Sequence, residues 1–209
     1  MPKKRRLKPQ PQSKLLVDTN AYLRLARDIH PLLGAPFCPE SHCAYILPEC
    51  KKELSGHKLQ TKFFWVTQTD YLDNRIHLLN IVKAQREPIE NTFRHMWGLV
   101  QTDWYSGHPE WEHKPRPSKV DTRYVATAEV LALPIITDDV PMTVLADEYG
   151  VTTINSVGLF RKMVACDHIA LEKVHAIREY LRHERDWPFS PLERDYQRLF
   201  FDSGYSIAE

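Results

Sequence analysis

Lys14-Leu15-Leu16-Val17-Asp18-Thr19-Asn20 is the stretch on which the reading of this chain turns. Three apolar residues, Leu15 to Val17, run straight into a carboxylate and two small polar residues. Placed early in a chain whose other apolar runs alternate with helical patterns, this predicts the central strand of a parallel sheet. Open α/β sheets bind their ligands beyond the carboxyl ends of the strands, so Asp18 stands where chemistry is usually done. The question is whether the chain brings further carboxylates to the same edge.

Outward from that strand, Ala21 to Leu33 has helical spacing (Leu23, Leu25, Ile29, Leu32) and Gly34 as a stop. Ala44 to Leu47 suits a second buried strand. Pro48 suits the first turn of a helix ending near Gly56, and Glu49 and Glu53, four apart, share one of its faces. The apolar spacing over 62–86 predicts one or two amphipathic helices, with another over Phe93 to Gln101. Residues 103–117, with Trp104, Tyr105 and Trp111, read as a long surface loop. Its aromatics either stack bases or pack the loop down. Ser118 to Leu131 reads as a helix, and Leu133 to Ile136 as a third strand running into Thr137, Asp138 and Asp139. Pro141 to Gly150 reads as a helix, Val151 to Ile154 as a fourth strand, and Ser156 as the cap of one more helix. The expected fold class is α/β, with a central parallel sheet of four to five strands and helices on both faces. Beyond it, 161–209 reads as a helical extension carrying the stripe Leu171, Val174, Ile177 and Leu181.

The 209 residues allow one sizeable core, with 43% hydrophobic and 26% charged residues in the ordinary globular range. No apolar run approaches the roughly 18 residues that span a bilayer, and nothing near the N-terminus has a secretory pattern. The expectation is a cytoplasmic protein with no membrane partner. Cys38, Cys43, Cys50 and Cys166 match no zinc spacing, and in a reducing compartment they are expected to be free. The net charge is +1, yet six cations (Lys3, Lys4, Arg5, Arg6, Lys8, Lys14) precede the first acid, which leaves −5 beyond them. With three prolines, 1–13 reads as a disordered basic tail. It is either a solvated tail or an arm for nucleic acid phosphates through Lys3, Lys4, Arg5 and Arg6.

Asp18 ends strand one, Glu53 (or Glu49) follows strand two, Asp121 opens the helix before strand three, and Asp139 follows strand three. Strand ends and the helix starts after them share one edge of a right-handed parallel sheet. For Asp121 the sequence leaves the geometry open. Clustered carboxylates repel, and one takes up a proton unless a cation screens them. Oxygen ligands without neighbouring Cys or His favour Mg²⁺ or Mn²⁺, ions that suit phosphodiester hydrolysis. Each acid also has a plainer reading. Asp18 can end its strand in an Asx turn, and Glu49 and Glu53 can pair with nearby lysines. Ser118 and Asp121 have capping-box spacing, and Asp138 and Asp139 can cap the helix opened by Pro141.

KLLVDTN resembles the opening of a PIN-domain nuclease, whose first strand ends in a metal-binding aspartate. ILPECKKELSG is similar to that family's second element, and SKVDTRYVATAEVLALPIITDD to its third and fourth. The resemblance covers 14–160, with a longer helical and loop segment at 60–117. It implies a three-layer α/β/α nuclease domain and metal-dependent endoribonuclease activity on RNA. The metal and catalytic residues it implies are Asp18, Glu53, Asp121 and Asp139; Glu53 is preferred because Leu54 and Gly56 follow it, with Glu49 as the alternative. Asp138, Thr19, Asn20, Ser118 and Thr137 are implied auxiliaries. Small relatives are often toxins silenced by an antitoxin, and family members often form homodimers. Two other classes compete. One is a PIN-fold RNA-binding or scaffold module without catalysis. The other is a phosphatase of the haloacid dehalogenase type, against which Asn20 stands where a second aspartate is needed.

Overall fold

The computed structural model describes residues 13–68, 77–109, 112, 115–187 and 191–202. The basic tail with Lys3, Lys4, Arg5 and Arg6, and a small part of the aromatic loop including Trp111, lie outside the described residues.

The fold is α/β around a five-stranded sheet of order β2-β3-β1-β4-β5. β1 (Ser13–Val17) is central and pairs in parallel with β3 (His42–Tyr45) and β4 (Ile135–Ile136), and β4 pairs in parallel with β5 (Thr153–Ile154). The sheet is not wholly parallel, which corrects the expectation. β2 (Pro36–Phe37) lies antiparallel on the β3 edge, where Pro36 faces Cys43 and Phe37 faces His42. An edge tolerates a proline because one row of N–H groups has no ladder partner there. Leu15, Leu16 and Val17 are buried, as a strand covered on both faces requires.

α1 (Thr19–Leu25) is shorter than the apolar spacing predicts, since that spacing continues through a non-helical turn. α2 (Pro48–Leu54) has Pro48 in its first turn, and α3 (His57–Lys62) follows. Of the one or two helices expected over 62–86, residues 69–76 lie outside the described residues, and the described part differs from the expectation. Phe64–Thr67 is a 3₁₀ turn, and Leu78 bridges in parallel to Ile46. α4 (Lys83–Thr102) then takes in both Pro88 and the expected Phe93–Gln101 helix. α5 (Trp104–Gly107) turns part of the expected loop into helix and buries Trp104. α6 (Lys119–Leu131), α7 (Val140–Glu148) and α8 (Ser156–Ala165) complete the α/β rhythm. The cap of α8 is Asn155, whose side chain accepts from Gly158 N at 2.8 Å, and not Ser156.

The extension comprises α9 (Leu171–His183), α10 (Pro191–Gln197) and a π-helical turn, Arg198–Asp202. Val174, Ile177, Leu181, Trp187, Leu192, Tyr196 and Phe200 join the same apolar cluster as the sheet residues. Glu193 ties its pieces together, accepting from Arg178 Nε at 3.0 Å and from Trp187 Nε1 at 2.8 Å. Those bonds, above all from the Arg178 guanidinium, hold the Glu193 carboxyl down at about 2.

Two of the four cysteines are not free. Cys38 and Cys166 form a disulfide with Cα atoms 5.2 Å apart, while Cys43 and Cys50 are free and buried. The bridge joins the turn after β2 to the end of α8 across a separation of 128 residues, a proximity that spacing rules cannot see. Among the described residues no helix is long and apolar enough to cross a membrane.

Candidate functional site

The sheet register brings the first two site residues together. Val17 pairs with Ile136, so the next residues, Asp18 and Thr137, emerge side by side from β1 and β4. Asp18 N donates to Ile136 O at 3.0 Å and Thr137 N to Ile154 O at 3.0 Å, which holds the backbone of both. Asp18 then caps α1, its Oδ1 accepting from Ala21 N at 2.5 Å, while its Oδ2 accepts the Thr137 hydroxyl. Only 4% of Asp18 is exposed. Burial pushes its carboxyl up to about 7, against the two hydrogen bonds that favour the ion, and the charges of Asp138 and Asp121 push the same way.

Glu53 arrives from the β3 side. It lies in the last turn of α2 and accepts the hydroxyl of Thr19, the residue after Asp18. Its carboxyl is raised by burial first, and by the charges of Asp121 and Glu49. Glu49, one turn earlier, points elsewhere. It stands 4.0 Å from Arg123 Nε and lines a neighbouring cleft of about 630 Å³ with Leu47, Pro48, Arg86, Glu90 and Arg123.

The position of Asp121, open in the sequence, is set by its helix. Leu47 N, at the start of α2, donates to the Tyr124 hydroxyl at 3.1 Å, which ties α6 to the end of β3. Arg123, between the two, donates to Glu90 at 2.7 Å and lies 3.7 Å over the Phe93 ring, fixing α6 against α4. Asp121 completes the capping box, its Oδ2 accepting from Ser118 N at 2.7 Å while Ser118 Oγ accepts from Asp121 N at 3.1 Å. Asp139 caps α7 by accepting from Met142 N at 2.8 Å on Oδ1. Burial raises its carboxyl, Asp121 adds to that, and the Met142 N–H and Arg24 oppose it.

Asp18, Glu53 and Asp139 therefore each feel the negative charge of Asp121. The plainer readings of Asp121 and Asp139 as helix caps hold at the same time, and Asp18, expected in an Asx turn, caps α1; a carboxylate has two oxygens and a cap uses one. Among the described residues no three His, Cys, Asp or Glu side chains already stand as a metal-holding group. The carboxylates are turned onto protein donors. The donor set is all oxygen, with the carboxyls of Asp18, Glu53 and Asp139 raised by burial, and nevertheless has the chemistry that a hard divalent cation satisfies.

Among the auxiliaries, Thr19 and Thr137 hold carboxylates and Ser118 completes the cap. Thr137 also accepts from Asp139 N at 3.0 Å, linking the two aspartates through one hydroxyl. Asn20 is exposed. Asp138 is a structural anchor: its side chain is wholly buried, accepting from Ser156 N at 2.8 Å and pairing with Arg24 Nη1 at 2.9 Å. Arg24 escaped the sequence reading, and its one visible signal is its place on the helix that Asp18 caps. Cys50 and Tyr124, buried behind the carboxylates, were also missed; burial pushes the Cys50 thiol up to about 12, which keeps it neutral. No protein-family model matches this chain, and no curated protein matches it.

Proposed function

We propose that this protein is a Mg²⁺- or Mn²⁺-dependent endoribonuclease of the PIN type, with Asp18, Glu53, Asp121 and Asp139 as its acidic site. The observation that carries the reading is the hydroxyl bridging at the carboxyl ends of β1 and β4, where Thr137 bonds Asp18 and accepts from Asp139 N while Thr19, next to Asp18, bonds Glu53. A buried carboxyl raised to about 7 is stabilised as the ion when a cation lies beside it. An ion bound there would supply a more acidic water and screen the charge of a phosphodiester. Asp18 and Asp139 would be its main holders, with Asp121 and Glu53 contributing directly or through water. Thr137 orients the two aspartates and Thr19 orients Glu53.

The engagement of every one of these carboxylates by a protein donor favours a second reading, a PIN-fold module that binds RNA without cleaving it. One experiment decides between them. Total RNA is incubated with the full chain with and without Mn²⁺, and new 5′ ends are mapped. Metal-dependent ends that vanish in Asp18→Asn support the nuclease. Ends that persist in that variant, or that never appear, reject it.

A further inference from the structure

We propose that Arg24 and Lys62 form a phosphate-binding subsite beside the four carboxylates, and that Asp186 of the helical extension fills it in the free protein. This rests on the endoribonuclease reading for its choice of ligand, a polynucleotide backbone.

Arg24 lies on α1 and Lys62 at the end of α3, on opposite sides of one carboxylate. Lys62 Nζ stands 3.1 Å from Asp186 Oδ1, and Arg24 Nε stands 3.4 Å from Asp186 Oδ2. Two cations thus grip the two oxygens of a singly charged anion. A phosphodiester presents the same feature, two non-bridging oxygens sharing one negative charge. The place is beside the acidic site, because the same Arg24 guanidinium holds Asp138, the neighbour of Asp139, at 2.9 Å. Phe64, two residues beyond Lys62 and 71% exposed, offers a ring face to an adjoining base.

The Asp186 carboxylate is not needed to dock the extension on Arg24. Arg24 Nε also donates to the main-chain oxygen of Asp186 at 3.1 Å, and Asp186 N donates to Leu181 O at 2.8 Å. Those bonds do not use the Asp186 carboxylate and survive its replacement by asparagine or serine. The carboxylate therefore acts as a built-in competitor that an RNA phosphate displaces.

The test is fluorescence anisotropy of a short 5′-labelled oligouridylate with the full chain in EDTA, where cleavage is not read. Asp186→Asn should tighten binding about fivefold, the equivalent of one freed ion-pair contact. It should also steepen the dependence of log Kd on log salt by about one. Lys62→Ala in the Asp186→Asn background should remove the gain. Asp186→Ser, which keeps the main-chain bonds, repeats the measurement should the asparagine variant melt early. Unchanged or weaker binding in both Asp186 variants overturns the subsite. If the wild type still cleaves RNA with Mn²⁺, the nuclease reading survives that loss. Tighter binding without cleavage in any form leaves the subsite standing and removes the nuclease.

Discussion

Thr137 donates its hydroxyl to Asp18 across 119 residues of sequence, and the register of β1 against β4 is what makes the bond possible. The same Thr137 oxygen accepts from Asp139 N, so one side chain sets the spacing of two of the proposed metal ligands. Thr137→Val keeps the β-branched shape and removes the hydroxyl. It should cost about 1–3 kcal/mol of stability through the lost hydrogen bonds to a buried carboxyl. It should lower metal-dependent RNA cleavage at least tenfold while secondary structure by circular dichroism stays intact. Undiminished cleavage would remove Thr137 from the site.

The raised carboxyl of Asp18 predicts how stability varies with pH. Its folded value, about 7, lies above the ordinary aspartate value of 3.8. The folded state therefore binds the extra proton between those limits. The stability this group contributes is full below about pH 4 and is lost as pH rises through 7, on the order of 4 kcal/mol in all. Asp18→Asn should flatten that part of the melting-temperature profile. Added Mn²⁺ should restore stability to the wild type more at about pH 8 than at about pH 5.5, since metal and proton compete. A Mn²⁺ effect of equal size in Asp18→Asn would show that the ion binds elsewhere.

Asp121 combines a structural and an electrostatic task that two variants can separate. Asp121→Asn keeps an oxygen for Ser118 N but removes the charge felt by Asp18, Glu53 and Asp139. It should fold as well as the wild type, lose RNA cleavage, and bring the carboxyls it repels down only slightly, since burial is the larger cause of their shifts. Ser118→Ala does the reverse, costing about 1 kcal/mol from the lost cap while leaving cleavage within a few-fold. Thermal melts and cleavage rates on the same preparations check the pair. Full activity in Asp121→Asn would make the aspartate a cap alone.

What the sequence revealed, and what it hid, follows the range of the interactions. The Leu15–Val17 strand, the proline starts of α2 and α7 and the Ser118–Asp121 box are local, and each is written in fewer than six residues. The edge pairing of Pro36–Phe37 is two residues long, too short for any periodicity. Leu78, Leu79 and Ile81 have spacing that serves helix or strand, and the contact of Leu78 with Ile46 decides it for extended chain. Of the site, Asp18 and Asp139 were legible as the residues that follow strands. The link from Tyr124 to Leu47 that positions Asp121, and the reach of Asp186 to Arg24, depend on tertiary packing and leave no local trace.

Glu49 and Glu53 lie four residues apart on one helix, the resemblance prefers Glu53 only for the Leu54 and Gly56 that follow it, and the structure gives the two different neighbours. Glu53 accepts from Thr19 and feels Asp121, whereas Glu49 stands near Arg123 over the adjacent cleft. Glu53→Gln should lower RNA cleavage by roughly a hundredfold, the scale of losing a charged group that acts on the reacting centre. Glu49→Gln should change it less than threefold, as expected of a partly exposed ion pair. The opposite ranking in parallel rate measurements would reassign the ligand.

Cys38 and Cys166 close a loop across 128 residues, and the chain-entropy argument assigns such a cross-link about 5 kcal/mol at most. The bond fixes the end of α8, whose first residue, Ser156, holds Asp138. Reduction should therefore lower the melting temperature by roughly 10 °C, and Cys38→Ser should melt at the reduced value with or without reductant. Alkylation of the unfolded chain gives an independent reading. Before reduction only Cys43 and Cys50 should be labelled; after it, Cys38 and Cys166 should be labelled as well. Labelling of all four without reductant, together with a melting temperature indifferent to it, would show that the two sulfurs sit close without being bonded in solution. The clamp on α8 would then rest on the Ser156–Asp138 bonds and on the burial of Phe160 and Met163 in the apolar cluster.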